Sequence, residues 1–465
     1  MRRHVVCPVV ARIIVIGAGV AGLAAAARMA SGVNDVTLVE RNPSPGGSVT
    51  WAGPHTLTLP ATLRDLFVKT GGRKAGAAGA LEEVVDLRPV DPVRTYVFPD
   101  GTRLDLPNAS RGATKEAFDA AFGSGAGAAW LGVLDHGGRA WSAIRPTLVE
   151  VPNAGRGELW RLLRDSAARR ALGPRRTLRQ VGAEAGVRDP RMLRILDEYA
   201  LGAGAEPDRA PAVLSIRPYI EHVFGAWRVV GGPTVLIDAL YERCVKRGVT
   251  FRFGAEVRSV ASGAVTLADG ERLGADTIVA ALDARVLAGL TGQKPSHEAY
   301  SPSAFSVRLE GPSGVELPHE SVFFGEGGPQ PTIRVHVAPE RPTEWIASID
   351  ATAKTETETQ TEADTGTDAR RLTDELTKRL GIAADAVTVH DVLTPADRER
   401  LTGTPGGSLH GPTADSLSSA ILRSPTVQPI KGLLHIGASA RPGPGVAFAA
   451  LGAWNAAEVL RPTRV

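Results

Sequence analysis

Residues 12–47 read RIIVIGAGVAGLAAAARMASGVNDVTLVERNPSPGG, and this stretch decides the fold. Ile13 to Ile16 form a short β-branched run. Gly17, Gly19 and Gly22 space a G-x-G-x-x-G turn, and Leu23 to Ala30 are helix formers directly behind it. Strand, tight turn and helix together make a dinucleotide cradle. Gly17 permits the turn, Gly19 lets backbone approach a pyrophosphate with no Cβ in the way, and Gly22 lets the helix pack closely on the strand. The phosphates then meet the first-turn backbone at Val20 and Ala21, where free N–H groups and the helix dipole favour negative charge. A second strand, Val36 to Val39, delivers Glu40 at the spacing of an acid that accepts hydrogen bonds from a ribose diol. A carboxylate there repels a 2′-phosphate, so a dinucleotide without one is favoured, and FAD and NAD both satisfy these residues.

Outward from this stretch, bulk composition sets the frame. At 465 residues the chain exceeds what one core usually serves, so two or three subdomains are expected. Hydrophobic content of 43% with 22% charged residues is ordinary for a globular protein, and a formal net charge of +3 points to no polyanionic partner, nucleic acid included. Cys7 and Cys244 form no C-x-x-C pair, so neither a disulfide framework nor a metal site is read, and a reducing cytoplasm is expected. Arg12 interrupts the apolar start, which is needed as the first strand, so a secretory leader is not expected. No uncharged apolar stretch reaches the roughly 18 residues of a spanning helix, which leaves peripheral membrane contact at most.

Pro45-Gly46-Gly47 follows Glu40 and Arg41 directly. A second glycine pair just after the ribose acid resembles the FAD-binding pattern of amine-oxidase-like and phytoene-desaturase-like flavoproteins, with contacts at Arg41, Gly46 and Gly47. The segment GPHTLTLPATLRDLF (residues 53–67), then Pro89-Val90-Asp91-Pro92 and a hairpin turning at Pro99-Asp100-Gly101, is similar to the bacterial phytoene desaturase family of carotenoid biosynthesis. That family commonly carries an Arg after the glycine pair and an Asp before Gly-Pro, whereas this chain has Ser48 and Ala52. The stretch APAVLSIRPYIEHVFGAWRVVGG (residues 210–232) again resembles the family, whose Pro-Tyr-(Ile/Val)-Glu element leads back to the nucleotide domain. Strand, turn and strand over Gly248 to Val260 follow, and Val257 matches the position whose backbone the family places near adenine. GLLHIGASARPGPGVAFAALGAWNAAEVL (residues 432–460) resembles the terminal flavin signature, which implies cofactor contacts at Gly437, Ala438, Gly445 and Val446. Family members often have His where this chain has Arg441.

The expected fold class is α/β: a Rossmann-like FAD-binding domain with a discontinuous substrate domain, itself a mixed sheet plus a helical subdomain. The FAD-binding domain takes residues 1–82, 225–285 and 390–465, and the substrate sheet takes 83–110, 205–224 and 286–350. A helical, membrane-facing subdomain covers 111–204. ATAKTETETQTEADTGTD (residues 351–368) is too polar to pack, so 351–370 is expected as a mobile loop, followed by an amphipathic helix. Between Arg156 and Arg194 stand eleven arginines against Glu158, Asp165, Glu184 and Asp189. They read either as a solvated helical face or, with Phe118, Phe122, Trp130 and Trp141 at the interface, as a surface for anionic lipid.

The resemblance implies an FAD-dependent desaturase that takes a hydride onto flavin N5 from a long apolar polyene, with a proton lost from the adjacent carbon. The cofactor then carries the chemistry, and a sparse set of catalytic side chains is sufficient. Candidates for proton handling are Glu221, His222 and His55, and Arg441 is a candidate flavin neighbour. Each has an ordinary reading as well: Glu221 as an ion-paired residue of a connecting strand, His222 as its exposed neighbour, His55 as a helix-entry residue and Arg441 as a surface arginine. Two other functions fit the same pattern. One is a flavin oxidase or dehydrogenase of another apolar natural product, a polyketide or an amine. The other is a non-enzymatic prenyl-binding escort, against which Glu40 and the terminal signature speak. Oligomeric state is not readable.

Overall fold

Strand β1 (Arg12–Ile16) buries all but its first residue, as a β-branched run covered on both faces should. It leads through the glycine turn into α1 (Val20–Met29) and back to β2 (Asp35–Val39), followed by α2 (Pro60–Thr70). The structure is a computed structural model that describes residues 10–32, 34–49, 56–71, 79–326, 330–351 and 362–460. A short β3 (Leu87–Pro89) precedes the hairpin β4 (Arg94–Val97) and β5 (Arg103–Leu106), which turns over Pro99-Asp100-Gly101 as expected. Six helices come next: α3 (Arg111–Phe122), α4 (Ala126–Ile144), α5 (Arg156–Arg164), α6 (Ser166–Leu172), α7 (Leu178–Ala185) and α8 (Pro190–Leu201). Their starts are capped by side chains at Ser110, Asp165, Thr177 and Asp189, which satisfy first-turn N–H groups.

The next segment departs from expectation. Residues Ile216–Phe224 form a helix, α9, and not a connecting strand. The reason is spacing: Ile216 and Ile220 stand four apart, as do Arg217 and Glu221, so each pair shares one helical face. After β6 (Trp227–Val229), which pairs with β3, the chain returns through α10 (Pro233–Lys246) to β7 (Thr250–Arg252). Strands β8 (Val257–Ala261), β9 (Ala264–Leu267) and β10 (Arg272–Gly274) make a small antiparallel sheet, followed by β11 (Thr277–Ala280) and α11 (Ala284–Thr291).

Strands β12 (Ser303–Glu310), β13 (Glu320–Phe323), β14 (Ile333–Ala338) and β15 (Arg341–Ala351) form the middle of the second sheet. Helix α12 (Glu362–Leu380) packs on it through Ala369, Leu372 and Leu376. The expected loop over 351–370 is therefore shorter at both ends. Ala351 closes β15, and residues from Glu362 onward are already helical because α12 propagates back from its buried face. The remainder of that segment lies outside the described residues. β16 (Thr388–Leu393) pairs with β12 across the expected boundary at 390, so its residues belong to the second sheet. Helices α13 (Pro395–Thr402) and α14 (Leu417–Ile421) lead to β17 (Leu433–His435) and α15 (Val446–Val459).

Two main sheets result. The first is parallel in the order β17-β11-β1-β2-β7, and the second is mixed in the order β16-β12-β15-β14-β13-β4-β5. Against the first sheet α1 packs beside α15. Both helices are built largely of alanine, and Ala24 to Ala27 are wholly buried, as are Ala453 and Ala456.

Candidate functional site

The carboxyl ends of β1 and β17 open towards two helix N-termini, α1 and α15, capped respectively by Gly19 and Gly445 without a side-chain hydrogen bond. First-turn N–H groups at Val20, Ala21 and Val446 therefore stand where an anionic or dipolar ligand can take them up. The glycines divide into two groups by what a Cβ would meet. Gly17 has φ +100°, and a Cβ there would stand 2.8 Å from the Ala281 carbonyl oxygen. On Gly22 it would stand 1.8 Å from the Gly17 carbonyl oxygen. These two are bare because the fold requires it. Gly19 is different: its Cβ would meet nothing nearer than Gly47 Cα at 3.8 Å. The protein leaves that space open, and Gly46 bridges Gly19 from the second glycine pair to wall it. A cradle with this bare floor fits the pyrophosphate of a dinucleotide.

Glu40 stands at the end of β2 and points into the cradle. Its Oε2 accepts from the Ala18 N–H at 2.6 Å and its Oε1 from the Asn42 N–H at 2.9 Å. A carboxylate has about four acceptor sites, so two such bonds orient it and leave capacity for a ribose diol. Backbone from Gly254 to Val257 runs alongside, with Ala255 N–H donating to the Glu40 carbonyl at 2.9 Å and Gly254 N–H to that of Asn42 at 3.1 Å. Arg41 turns the other way and donates to the Arg400 carbonyl at 2.6 Å. A cleft beside Glu40 is lined by Arg41, Asn42, Ala255, Leu267, Ala268 and Arg400. The structure thus brings Glu40, Arg41 and the Val257 segment to one end of the cradle.

At the other end, Gly437, Gly443 and Gly445 all have positive φ, and the turn they shape carries Ala438 into the first turn of α15. Arg441 lies in this turn half-buried, its Nε donating to the Arg423 carbonyl at 3.0 Å. Burial lowers its pKa, partly offset by the charge of Glu158. Ala447, next to that first turn, joins an apolar cluster with Trp141 of α4, Leu159 of α5, Ile216 and Ile220 of α9, and Leu417 of α14. Phe448 packs against the same cluster. The packing against this start of α15 is hydrocarbon.

Glu221 lies elsewhere on α9, in a buried polar cluster against the second sheet. Tyr199 of α8 donates its hydroxyl to Glu221 Oε1, and Arg94 Nη2 stands 3.5 Å from Oε2. Arg94 is bound more closely through Nε to Glu320 of β13 and donates to the Tyr96 hydroxyl at 3.0 Å, while Thr56 donates to Glu320 at 3.1 Å. One guanidinium thus serves two carboxyls. Burial alone would raise Glu320, but the charge and hydrogen bond of Arg94, together with the charges of His336 and His319, outweigh it and hold this carboxyl at about 2. Glu221 has the weaker share of Arg94, so burial prevails and its pKa is raised. His222 is partly buried and its pKa is lowered by burial. His55 lies outside the described residues. Arg94, Tyr199 and Glu320 were not singled out from sequence. Their only signal there is a polar residue inside an apolar strand or helix pattern, and the carboxylates that Tyr199 and Arg94 meet stand 22 to 226 residues away.

Of the four aromatic residues expected at a lipid interface, three are buried and Phe122 is partly buried. Phe118 and Trp130 are fully buried and stack at 4.6 Å between ring centroids, and Trp141 is buried in the apolar cluster. Large flat side chains on the inner faces of α3 and α4 fill a core. Among the described residues the exposed tryptophan is Trp160 on α5, 68% exposed. Several arginines are neutralised locally: Arg161 by Glu158, Arg176 by Glu184, Arg179 by Asp197 and Arg191 by Asp189. Among the described residues, Arg156, Arg164, Arg169, Arg170 and Arg175 on or beside α5 and α6 enter no ion pair. Also among the described residues, no helix is long and apolar enough to cross a membrane, and no cluster of His, Cys, Asp and Glu could hold a metal ion.

Comparison with known proteins agrees with this geometry. A family model for NAD(P)-binding Rossmann-like domains matches residues 15–60, and one for flavin containing amine oxidoreductases matches residues 78–387. Hydroxyneurosporene desaturase from Rubrivivax gelatinosus is 28% identical over 97% of this chain and 93% of its own length. Phytoene dehydrogenase from Streptomyces griseus is 29% identical over 67% of this chain and 63% of its own length. Among solved structures, an oxidoreductase from Methanosarcina mazei superposes with a TM-score of 0.60 at 17% identity, covering 96% of this chain and all of that one. Putrescine oxidase with bound putrescine gives 0.59 at 15% identity, covering 97% of this chain and 99% of that one.

Proposed function

The chain belongs to the flavin containing amine oxidoreductase family and is an FAD-dependent oxidoreductase, and from that premise we propose that it desaturates a long apolar isoprenoid of the carotenoid type. One observation carries the substrate class: the apolar cluster that runs from the helical layer to Ala447 and Phe448 at the cofactor end of α15. A hydrocarbon against such a wall is held by burial, at about 25 cal/mol per Å² of apolar surface, and needs no charge clamp. The names of the carotenoid desaturases that align with the chain support the same reading.

When bound, FAD supplies the two-electron oxidant. The remaining tasks fall to this chain. Gly17, Gly19 and Gly22 with Val20, Ala21, Gly46 and Gly47 bind the pyrophosphate. Glu40 holds the ribose side, the Val257 segment lies along the adenine end, and backbone at Gly437, Ala438, Gly445 and Val446 orients the ring end. Glu221, with its pKa raised by burial, is the carboxyl we assign to proton handling. Anaerobic incubation of FAD-loaded protein with phytoene and with hydroxylated polyenes should bleach the flavin while a longer polyene chromophore grows in. Glu221→Gln should keep its FAD and bleach at least tenfold more slowly. Bleaching by a polyketide or an amine and by no polyene would overturn the substrate class.

An insoluble polyene has to be drawn from lipid, and α5 offers a route for it. Its inner face places Leu159 in the apolar cluster, while its outer face presents Trp160 among unpaired arginines. An amphipathic helix of this kind docks on an anionic leaflet, each exposed arginine contributing about 1 kcal/mol. The protein should co-sediment with anionic liposomes at low salt and be released at about 1 M salt, where the Debye length is roughly 3 Å. Substituting Arg164, Arg169, Arg170 and Arg175 together by Ser should weaken binding while sparing FAD. Wild-type protein that ignores anionic liposomes at every ionic strength removes the membrane from the proposal.

A further inference from the structure

Arg423 is an interior cation with no counter-ion at the cofactor's ring end. Its residue is only 6% exposed. Nη1 donates to the carbonyl oxygens of His410 at 2.8 Å and Ala438 at 3.2 Å, so the guanidinium is fastened to the turn that carries Gly437 to Gly445. Nε is buried and has no hydrogen-bond partner. This unused edge faces Gly443, where an added Cβ would stand 3.6 Å from Nε. Among the described residues no carboxylate reaches ion-pair distance of Arg423. A second cation, Arg217 on α9, makes no hydrogen bond and no ion pair among them either. Burial, and after it the charge of Arg217, lower the pKa of Arg423 to about 10, with Glu298, Tyr300 and Asp283 acting the other way from beyond pairing distance. His410 lies beside both arginines and is held neutral, at about 3, by burial and their charges. A buried, uncompensated charge is costly, and a fold that retains one beside a ligand turn has a use for its field.

We propose that Arg423, backed by Arg217, is the counter-charge for reduced FAD, taking up the negative charge that two-electron reduction leaves on the bound cofactor. This rests on the FAD assignment and is independent of the substrate. Removing two hydrogens from a carbon–carbon bond releases two electrons and two protons. When both electrons and one proton arrive at FAD while the other proton leaves to a base or to solvent, one net negative charge remains at the cofactor. A fixed guanidinium in a dry site stabilises that charge without reorganising, and so raises the reduction potential. Arg423 is then a positioning cation for charge, distinct from the carboxyl that handles the proton.

Sulfite tests this without any substrate, because its adduct with flavin places the same kind of negative charge on the ring. In the FAD-loaded protein, Arg423→Met should weaken sulfite binding at least tenfold and lower the two-electron midpoint potential by the corresponding ~30 mV. Arg423→Lys, which keeps the charge, should stay within threefold of wild type for sulfite. A Met variant that retains FAD with unchanged sulfite affinity and potential overturns the proposal, and so does a Lys variant as weak as Met. Should Arg423→Met fail to hold FAD, Arg217→Met decides. That side chain fastens nothing in the turn, and sulfite affinity within twofold of wild type in this variant overturns the role. Wild-type protein that binds no FAD would instead overturn the cofactor assignment on which the proposal rests.

Discussion

The cradle around Gly19 and the cluster around Arg94 are both polar sites inside the protein, yet they are built in opposite ways. The cradle is backbone. Its donors are N–H groups of helix first turns, and its shape comes from positions where a Cβ is forbidden or left out. The Arg94 cluster is side chain, with Tyr199, Glu221 and Glu320 drawn from α8, α9 and β13 onto a guanidinium of β4. A backbone site tolerates change in side chains around it and fails at single glycines. A side-chain site fails by charge imbalance, and balance can be restored by a second substitution.

The largest effect should come from Gly22→Ala, because the new Cβ would stand 1.8 Å from the Gly17 carbonyl oxygen. A cost above about 4 kcal/mol is expected, measured as loss of the cooperative thermal transition. A Tm within a few degrees of wild type would break the backbone account of the cradle. Gly19→Val comes next and should separate fold from ligand. The protein has 3.8 Å of room at that Cβ, so the variant should unfold near the wild-type temperature yet purify colourless. Retained FAD absorbance would show that the pyrophosphate lies elsewhere.

Arg94→Met leaves two buried carboxyls without their cation and should cost about 3–5 kcal/mol in denaturant unfolding. Adding Glu320→Gln to it should recover part of that loss, and strict additivity of the two would contradict the shared-cation picture. The pH dependence has a definite sign. Glu320 is held at about 2 against an ordinary 4.5, so its contribution is present above pH 4.5 and fades as pH falls towards 2. That acid-sensitive component should be missing in Arg94→Met, compared by Tm between pH 6 and pH 3. The smallest effect is expected at Glu40→Ala, which removes one charge-assisted site and should weaken FAD by on the order of 1.5 to 3 kcal/mol. An unchanged dissociation constant would assign the ribose to another residue.

The same contrast explains what could be seen in the sequence. Glycine spacing, the strand before it and Glu40 behind it are local, and every one of these elements stands where the residues put it. Likewise the hairpin at Pro99-Asp100-Gly101 and the alternation in β12 and β14 announce themselves within a few residues. Glu221 stands in a recognisable motif, but Pro218 and the neighbouring aromatic residues give that segment the look of a strand, and the i, i+4 pattern of α9 spans only nine residues. Arg94 and Arg423 carry no local mark at all. An arginine earns its meaning from the carboxylate it finds or lacks, and that is decided by topology. For the same reason Trp130 reads like a membrane anchor until the packing of α3 on α4 shows it buried.

The order of the first sheet also has a consequence in time. β1 pairs with β11, and β11 with β17, so the strand that leads into the turn for the ring end of the cofactor begins 417 residues beyond Ile16, counting from Ile16 to Leu433. At about 5–20 residues per second of synthesis, roughly 20–80 s separate the emergence of the glycine turn from that of its counterpart. A nascent chain therefore displays the pyrophosphate cradle long before it owns a complete pocket. Loading with flavin is a late, whole-chain event, and a ribosome stalled before β17 should hold a chain that cannot keep the cofactor.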